Sequence, residues 1–195
     1  MCHFIESIRL ENGNIKLLDY HQNRVNKTIL HFFGKKNLIN LEKELEKETL
    51  PPVGVYKIRI LYSQKVHSLE ILPYNQLKFS KFQMIPVPNG FDYSFKYSNR
   101  TLFEELTKNI KPNTIALFTQ NKGLTDGLFA NLVFQKNGML FTPDTPLLNG
   151  VQRQYLLKTK QIQEAKISEE NINSFEKLGL INAMIPIENI NFIEI

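Results

Sequence analysis

Residues 123–157 read GLTDGLFANLVFQKNGMLFTPDTPLLNGVQRQYLL, and the rest of the chain is organised around them. Thr125-Asp126-Gly127 forms an acidic turn that leads into an alternating run, Leu128 to Phe134. Lys136-Asn137-Gly138 then makes a tight hairpin turn into a second strand, Met139 to Thr142. After a loop bounded by Pro143 and Pro146, Asn149-Gly150 opens a helix whose first backbone N–H groups have no intrahelical acceptor and so favour an anion. An acid, a rigid hairpin and an anion-binding helix start suit a ligand that is cationic at one end and anionic at the other. Read from the pattern alone, the same stretch also describes an ordinary hairpin and crossover helix.

Composition narrows the class. The chain has 195 residues, 42% hydrophobic and 22% charged, which fits one large globular domain or two small ones. No run approaches the roughly 18 apolar residues that a membrane span needs, and MCHFIESIRL at the start has no signal-peptide pattern. Cys2 is the single cysteine, so no internal disulfide framework is possible and a reducing cytoplasm is expected. The net charge is +5, but the lysines are scattered, which argues against nucleic acid and suits an anionic substrate. No metal site is expected.

Taken in order, Phe4 to Leu10 reads as a strand, residues 11–14 as a turn and Ile15 to Leu18 as the returning strand. Asp19 is expected to cap a helix from Tyr20 to Phe33, ended by Gly34. Leu41 to Thr49 reads as a second helix, and Gly54 to Ser63 and Val66 to Leu72 as paired strands. Residues 1–73 then form a small α+β domain, 74–81 a polar linker, and 82–195 a larger domain. In the latter, strands are expected at Phe82 to Val87 and Thr114 to Gln120, and helices at Leu102 to Lys108, Val151 to Gln161 and Ser168 to Lys177. Two apolar strands, Leu180 to Ile187 and Ile190 to Ile195, close the chain.

Three motifs in the opening stretch carry a resemblance: Asp126-Gly127-Leu128-Phe129-Ala130-Asn131, Phe141-Thr142-Pro143, and Leu148-Asn149-Gly150-Val151-Gln152-Arg153. Together they resemble the cofactor-binding segment of the class IV pyridoxal 5'-phosphate (PLP) enzymes. These include branched-chain and D-amino acid aminotransferases and aminodeoxychorismate lyases. The family's usual acid is Glu, where this chain has Asp126. Lys96-Tyr97-Ser98-Asn99-Arg100 and Asn182-Ala183-Met184-Ile185-Pro186 resemble the Lys-x-x-Asn-Arg and Asn-Ala-x-x-Pro segments of the lyases, and His21-Gln22-Asn23-Arg24 the family's His-x-x-Arg.

The resemblance implies roles residue by residue. Lys96 forms the Schiff base with PLP and shuttles the substrate's α-proton. Asp126 keeps the pyridine nitrogen protonated. Arg24 binds the phosphate through paired charge-assisted hydrogen bonds, with the N–H groups of Val151 and Gln152, the close approach allowed by Gly150, and Asn182 and Ala183 completing the cradle. Arg59 and Arg100 are candidates for an anionic group of an amino substrate. Arg59 lies in an otherwise apolar strand, and pairing with a neighbouring acid explains it equally well, while Glu6 and His3 stay undecided. The implied fold is α+β in two domains, the larger barrel-like, in a homodimer with PLP between the domains. The implied reaction is that of an aminodeoxychorismate lyase, giving p-aminobenzoate and pyruvate. Alternatives are an aminotransferase for a branched-chain or D-amino acid and a non-catalytic PLP-binding protein.

Overall fold

The computed structural model describes residues 2–195. Strand β1 (Phe4–Glu11) turns through Asn12-Gly13 into the short β2 (Asn14–Ile15). Helix α1 (Leu18–Phe33) follows and ends at Gly34, whose left-handed φ of 61° lets its N–H close back on the Leu30 carbonyl. Asp19 does not cap this helix as expected. The cap position is Leu17, itself left-handed at φ 53°, and Asp19 lies in the first turn, where its charge favours the positive helix end. Helix α2 (Leu41–Leu45) is capped by the Asn40 side chain and is much shorter than the expected 41–49. It buries only Leu41 and Leu45, so a further turn would have no apolar side chain to bring to the core. β3 (Val55–Tyr62) and β4 (Val66–Pro73) complete an antiparallel sheet in the order β2-β1-β3-β4. Its core comprises Phe4, Ile8 and Leu10 of β1, Val25 and Ile29 of α1, and Ile58, Ile60 and Tyr62 of β3.

This first unit extends to Gln76 and takes in Phe95–Asn99, while Leu77–Ser94 and Arg100–Ile195 form a second. In the second unit come β5 (Lys81–Pro86), α3 (Thr101–Thr107), β6 (Thr114–Gln120), β7 (Gly123–Gly127), β8 (Ala130–Lys136) and β9 (Met139–Pro143). They are followed by α4 (Val151–Lys158), β10 (Gln163–Ala165), β11 (Lys177–Ile181) and β12 (Ile193–Glu194). One sheet runs β10-β9-β8-β7-β6-β5, with β11 lying along β8 and β12 on β11. β5 and β6 are parallel, as are β9 and β10, and the other pairs are antiparallel.

β8 is buried on both sides. Leu132 and Phe134 point into one core cluster, whereas Val133 packs with Leu156 and Ile162 in another. Asn131 shares the parity, and so the face, of Val133.

Three expectations need correction here. Thr125-Asp126-Gly127 is not a turn but the end of β7, because Asn121-Lys122, both at positive φ, already turn the chain. The expected helix at 168–177 is a single 3-10 turn at Ile172–Ser174, and the strand expected to reach Ile187 ends at Ile181. Among the described residues no helix is long and apolar enough to cross a membrane.

Candidate active site

In the first unit the decisive residue is Glu6. Its even position in β1 turns it to the same side as Phe4, Ile8 and Leu10, and it is fully buried there. An acid among aliphatic side chains needs partners, and α1 supplies them. Arg24 donates from Nε to Oε1 at 2.8 Å and from Nη2 to Oε2 at 2.5 Å, and His21 donates from Nδ1 to Oε2 at 2.5 Å. Burial alone would raise the Glu6 pKa, but the Arg24 charge and the bonds from His21 and Arg24 outweigh it and hold the carboxyl at about 2. His21 is buried too, and burial lowers its pKa against the pull of Glu6, with the charges of Arg24 and Lys96 adding to the lowering. The imidazole is therefore the neutral Nδ1–H tautomer, and its buried Nε2 has no hydrogen-bond partner among the described residues.

β1 also fixes Lys96. The Ile5 N–H donates to the Lys96 carbonyl at 3.0 Å, and the Ser98 N–H to the His3 carbonyl at 2.9 Å. The flanking rings pack on the same surface, Tyr97 at 5.4 Å from Phe4 and Phe95 at 4.9 Å from Phe32 between centroids. One strand thus holds the backbone of the candidate nucleophile and the carboxylate that orients Arg24.

In the second unit Asp126 of β7 stands directly opposite Asn131 of β8. Asn131 Nδ2 donates to Asp126 Oδ1 at 2.6 Å and to the Leu148 carbonyl at 2.8 Å, and the Leu148 N–H donates to Asp126 Oδ2 at 2.7 Å. Burial raises the Asp126 pKa to about 7, against the bonds from Leu148 and Asn131 and the charge of Arg153. A buried carboxyl bonded by neutral donors is suited to a protonated heterocyclic nitrogen.

Gly150 is extended, at φ −65°, so conformational freedom is not why it is glycine. A Cβ there would stand 2.2 Å from Asn131 Oδ1. Val151 and Gln152 begin α4 buried, and no side chain caps that start, which leaves its N–H groups suited to a phosphate. Arg153 ties the helix down through Asn149 Oδ1, the Pro143 carbonyl and Glu164. The residues present therefore fit the two ends of PLP.

Asn182 accepts the N–H groups of Met184 and Ile185 on its side-chain oxygen and donates to the Phe129 carbonyl at 3.1 Å. It shapes the turn that carries Ala183. Arg59 lies 3.8 Å from Glu70 on the neighbouring strand, the pairing that its sequence position left open. Arg100 donates to the Leu128 carbonyl and lies over the Phe103 ring at 5.2 Å. Sequence reasoning assigned no role to Asn131 or His21. Reading Leu128–Phe129 as a two-residue loop would have found the first, since positions five apart then face each other across the hairpin.

The family model for amino-transferase class IV matches residues 3–191. An uncharacterized protein of Haemophilus influenzae is 31% identical over 186 residues, covering 94% of this chain and 98% of the relative. A structure from Haemophilus somnus 129PT, described as a candidate 4-amino-4-deoxychorismate lyase, is 33% identical with a TM-score of 0.88, covering 96% of this chain and 98% of that one. A candidate amino-acid aminotransferase from Mesorhizobium loti shares the fold at 19% identity and a TM-score of 0.78, covering 100% of this chain and 99% of its own. A family match across residues 3–191 and a relative 31% identical over 94% of the chain lead to one conclusion: the chain belongs to the class IV aminotransferases, a family of PLP-dependent enzymes.

Proposed function

We propose that this enzyme is an aminodeoxychorismate lyase that uses PLP and gives p-aminobenzoate and pyruvate. The observation that carries the cofactor reading is Asp126, a buried carboxyl raised to about 7 and met by the neutral donors of Asn131 and Leu148. The lyase reading is supported by the Lys-x-x-Asn-Arg and Asn-Ala-x-x-Pro segments and by the likeness to the Haemophilus somnus protein. When bound, PLP supplies an electron-accepting ring conjugated to the substrate nitrogen. Asp126 holds the proton on the ring nitrogen, and Asn131 and the Leu148 N–H hold Asp126. In the first unit Arg24, oriented by Glu6, is the proposed phosphate ligand; in the second, the N–H groups of Val151 and Gln152 and the turn at Asn182-Ala183 are the candidates for that role. Lys96 binds the cofactor through its amine and then moves the proton at the substrate's α-carbon. The enzyme is further proposed to be a cytoplasmic homodimer.

The aminotransferase reading has the Mesorhizobium loti structure in its favour. One experiment separates the two. The protein is loaded with PLP, reduced with borohydride and mapped by mass spectrometry, and a parallel unreduced sample is assayed with aminodeoxychorismate and with a panel of amino acids. Pyridoxyl label on Lys96 and release of p-aminobenzoate are expected. Keto-acid formation without p-aminobenzoate would make it an aminotransferase, and label on another lysine would overturn the site.

A further inference from the structure

Among the described residues, the hairpin that carries Asp126 is built unlike the other hairpins with two-residue loops. Four hairpins among the described residues have two-residue loops, at residues 12–13, 121–122, 128–129 and 137–138. Three of these loops place both residues at positive φ: Asn12-Gly13 (49°, 77°), Asn121-Lys122 (51°, 65°) and Asn137-Gly138 (52°, 73°). Positive φ at both positions gives the turn a twist that matches the right-handed twist of its strands, so these loops set their own register. Leu128 and Phe129 are not among the positive-φ residues. A loop of that kind splays the strands it joins unless something outside it holds them.

Two side chains do hold it. Arg100 donates to the Leu128 carbonyl, its guanidinium lying over Phe103, and Asn182 donates to the Phe129 carbonyl at 3.1 Å. Both loop carbonyls are thus engaged, from the start of α3 and from the turn after β11. The pairing they protect is the one that sets Asp126 opposite Asn131, and a one-residue slip would turn Asn131 to the other face. Gly127 beside the loop has little room to absorb an error, since a Cβ there would lie 3.3 Å from Leu180 and 3.5 Å from the Ala116 and Ala130 carbonyls.

We propose that Arg100 and Asn182 are positioning residues that clamp the Leu128–Phe129 turn, and with it the Asp126–Asn131 pair, and that Arg100 does not touch substrate. The functional weight of this clamp rests on the reading of Asp126 as partner of the ring nitrogen; the clamp itself does not.

The test has one arm without cofactor and one with it. In cofactor-free protein, amide hydrogen exchange from Asp126 to Asn131 should quicken about tenfold in Arg100→Met and in Asn182→Ala, the change expected when one hydrogen bond to a loop carbonyl is removed. Exchange in β1 to β4 should stay at parent values. Arg100→Lys returns a donor to the Leu128 carbonyl and should recover part of the protection. In PLP-loaded protein, Arg100→Met should lower kcat and weaken PLP retention while KM for the amino substrate stays within about threefold of the parent. Unchanged exchange overturns the proposal, and a KM raised tenfold or more with it would make Arg100 a substrate contact. If the parent takes up no PLP, the functional reading fails by itself, and the exchange arm still decides the clamp.

Discussion

Two buried carboxyls in this chain are driven in opposite directions, and the difference lies in their donors. Glu6 is met by a guanidinium and an imidazole, and its pKa falls to about 2. Asp126 is met by an amide and a backbone N–H, and burial prevails, raising it to about 7. The consequences for stability have opposite signs. Glu6 ionises more readily folded than unfolded, so its contribution is present above its ordinary 4.5 and is lost as pH falls towards 2. Asp126 binds its proton more tightly folded, so its contribution is present below its ordinary 3.8 and is lost as pH rises through about 7. At about 1.4 kcal/mol per unit, the Asp126 penalty without PLP amounts to at most about 4 kcal/mol. Urea unfolding of the cofactor-free protein should show stability falling between pH 4 and 7, and PLP should cancel most of that fall. In Asp126→Asn the fall should vanish; a parent and variant with parallel pH dependence would remove Asp126 from this role. Glu6→Ala removes the buried acceptor that His21 and Arg24 share, and should cost about 3–5 kcal/mol in the same measurement at pH 7.

Among the elements, legibility followed local rules. Strands β1 and β3 are readable because alternation and turn residues agree with the fold there, and β6 and β9 because short apolar runs are bounded by turn residues. β7 was misread because Thr, Asp and Gly are turn residues by habit, whereas here Thr125 donates to the Phe118 carbonyl and Asp126 serves the opposite strand. The strand expected from Leu180 to Ile187 is cut at Ile181 because the Asn182 side chain captures two following N–H groups and bends the chain. Gly150 shows how one element's residue answers to another. Its helix-cap geometry would accept any residue, but Asn131 Oδ1 occupies the place of a Cβ. Gly150→Ala should therefore displace Asn131 from Asp126 and Leu148 and lower stability by about 1–3 kcal/mol. In an Asn131→Ala background most of that penalty should disappear, and a double-mutant cycle from thermal unfolding reads the coupling. Additive penalties would mean that the two side chains do not conflict.

At the scale of the whole molecule, what the sequence concealed was where one short segment belongs. Phe95–Asn99 follows eighteen residues of the second unit, Leu77–Ser94, yet it packs with the first. Nothing local marks this, because the partners are long-range: Ile5, His3, Phe4 and Phe32 are more than sixty residues away in the chain. The hydrophobic pattern of 95–97 shows that the segment is half-buried but not against what. The segment meets β1 through the backbone bonds at Ile5 and Ser98 and a patch of rings, whereas β3 is paired along its length on both edges. Segments of that kind open at lower free energy than the sheet they lie on. Tyr97→Ala removes the ring that meets Phe4 and Phe32. Amide exchange at Ile5 and Ser98 should then quicken by about ten- to a hundredfold, the scale expected when an aromatic pair and its buried area are removed. Exchange at Ile58 and Ile60, in the middle of β3, should not change. The yield of pyridoxyl label on Lys96 should fall in parallel, because the lysine depends on β1 for its place. Equal quickening at Ile58 and Ile60 would show instead that the segment is an integral part of the first core, opening only when that core unfolds.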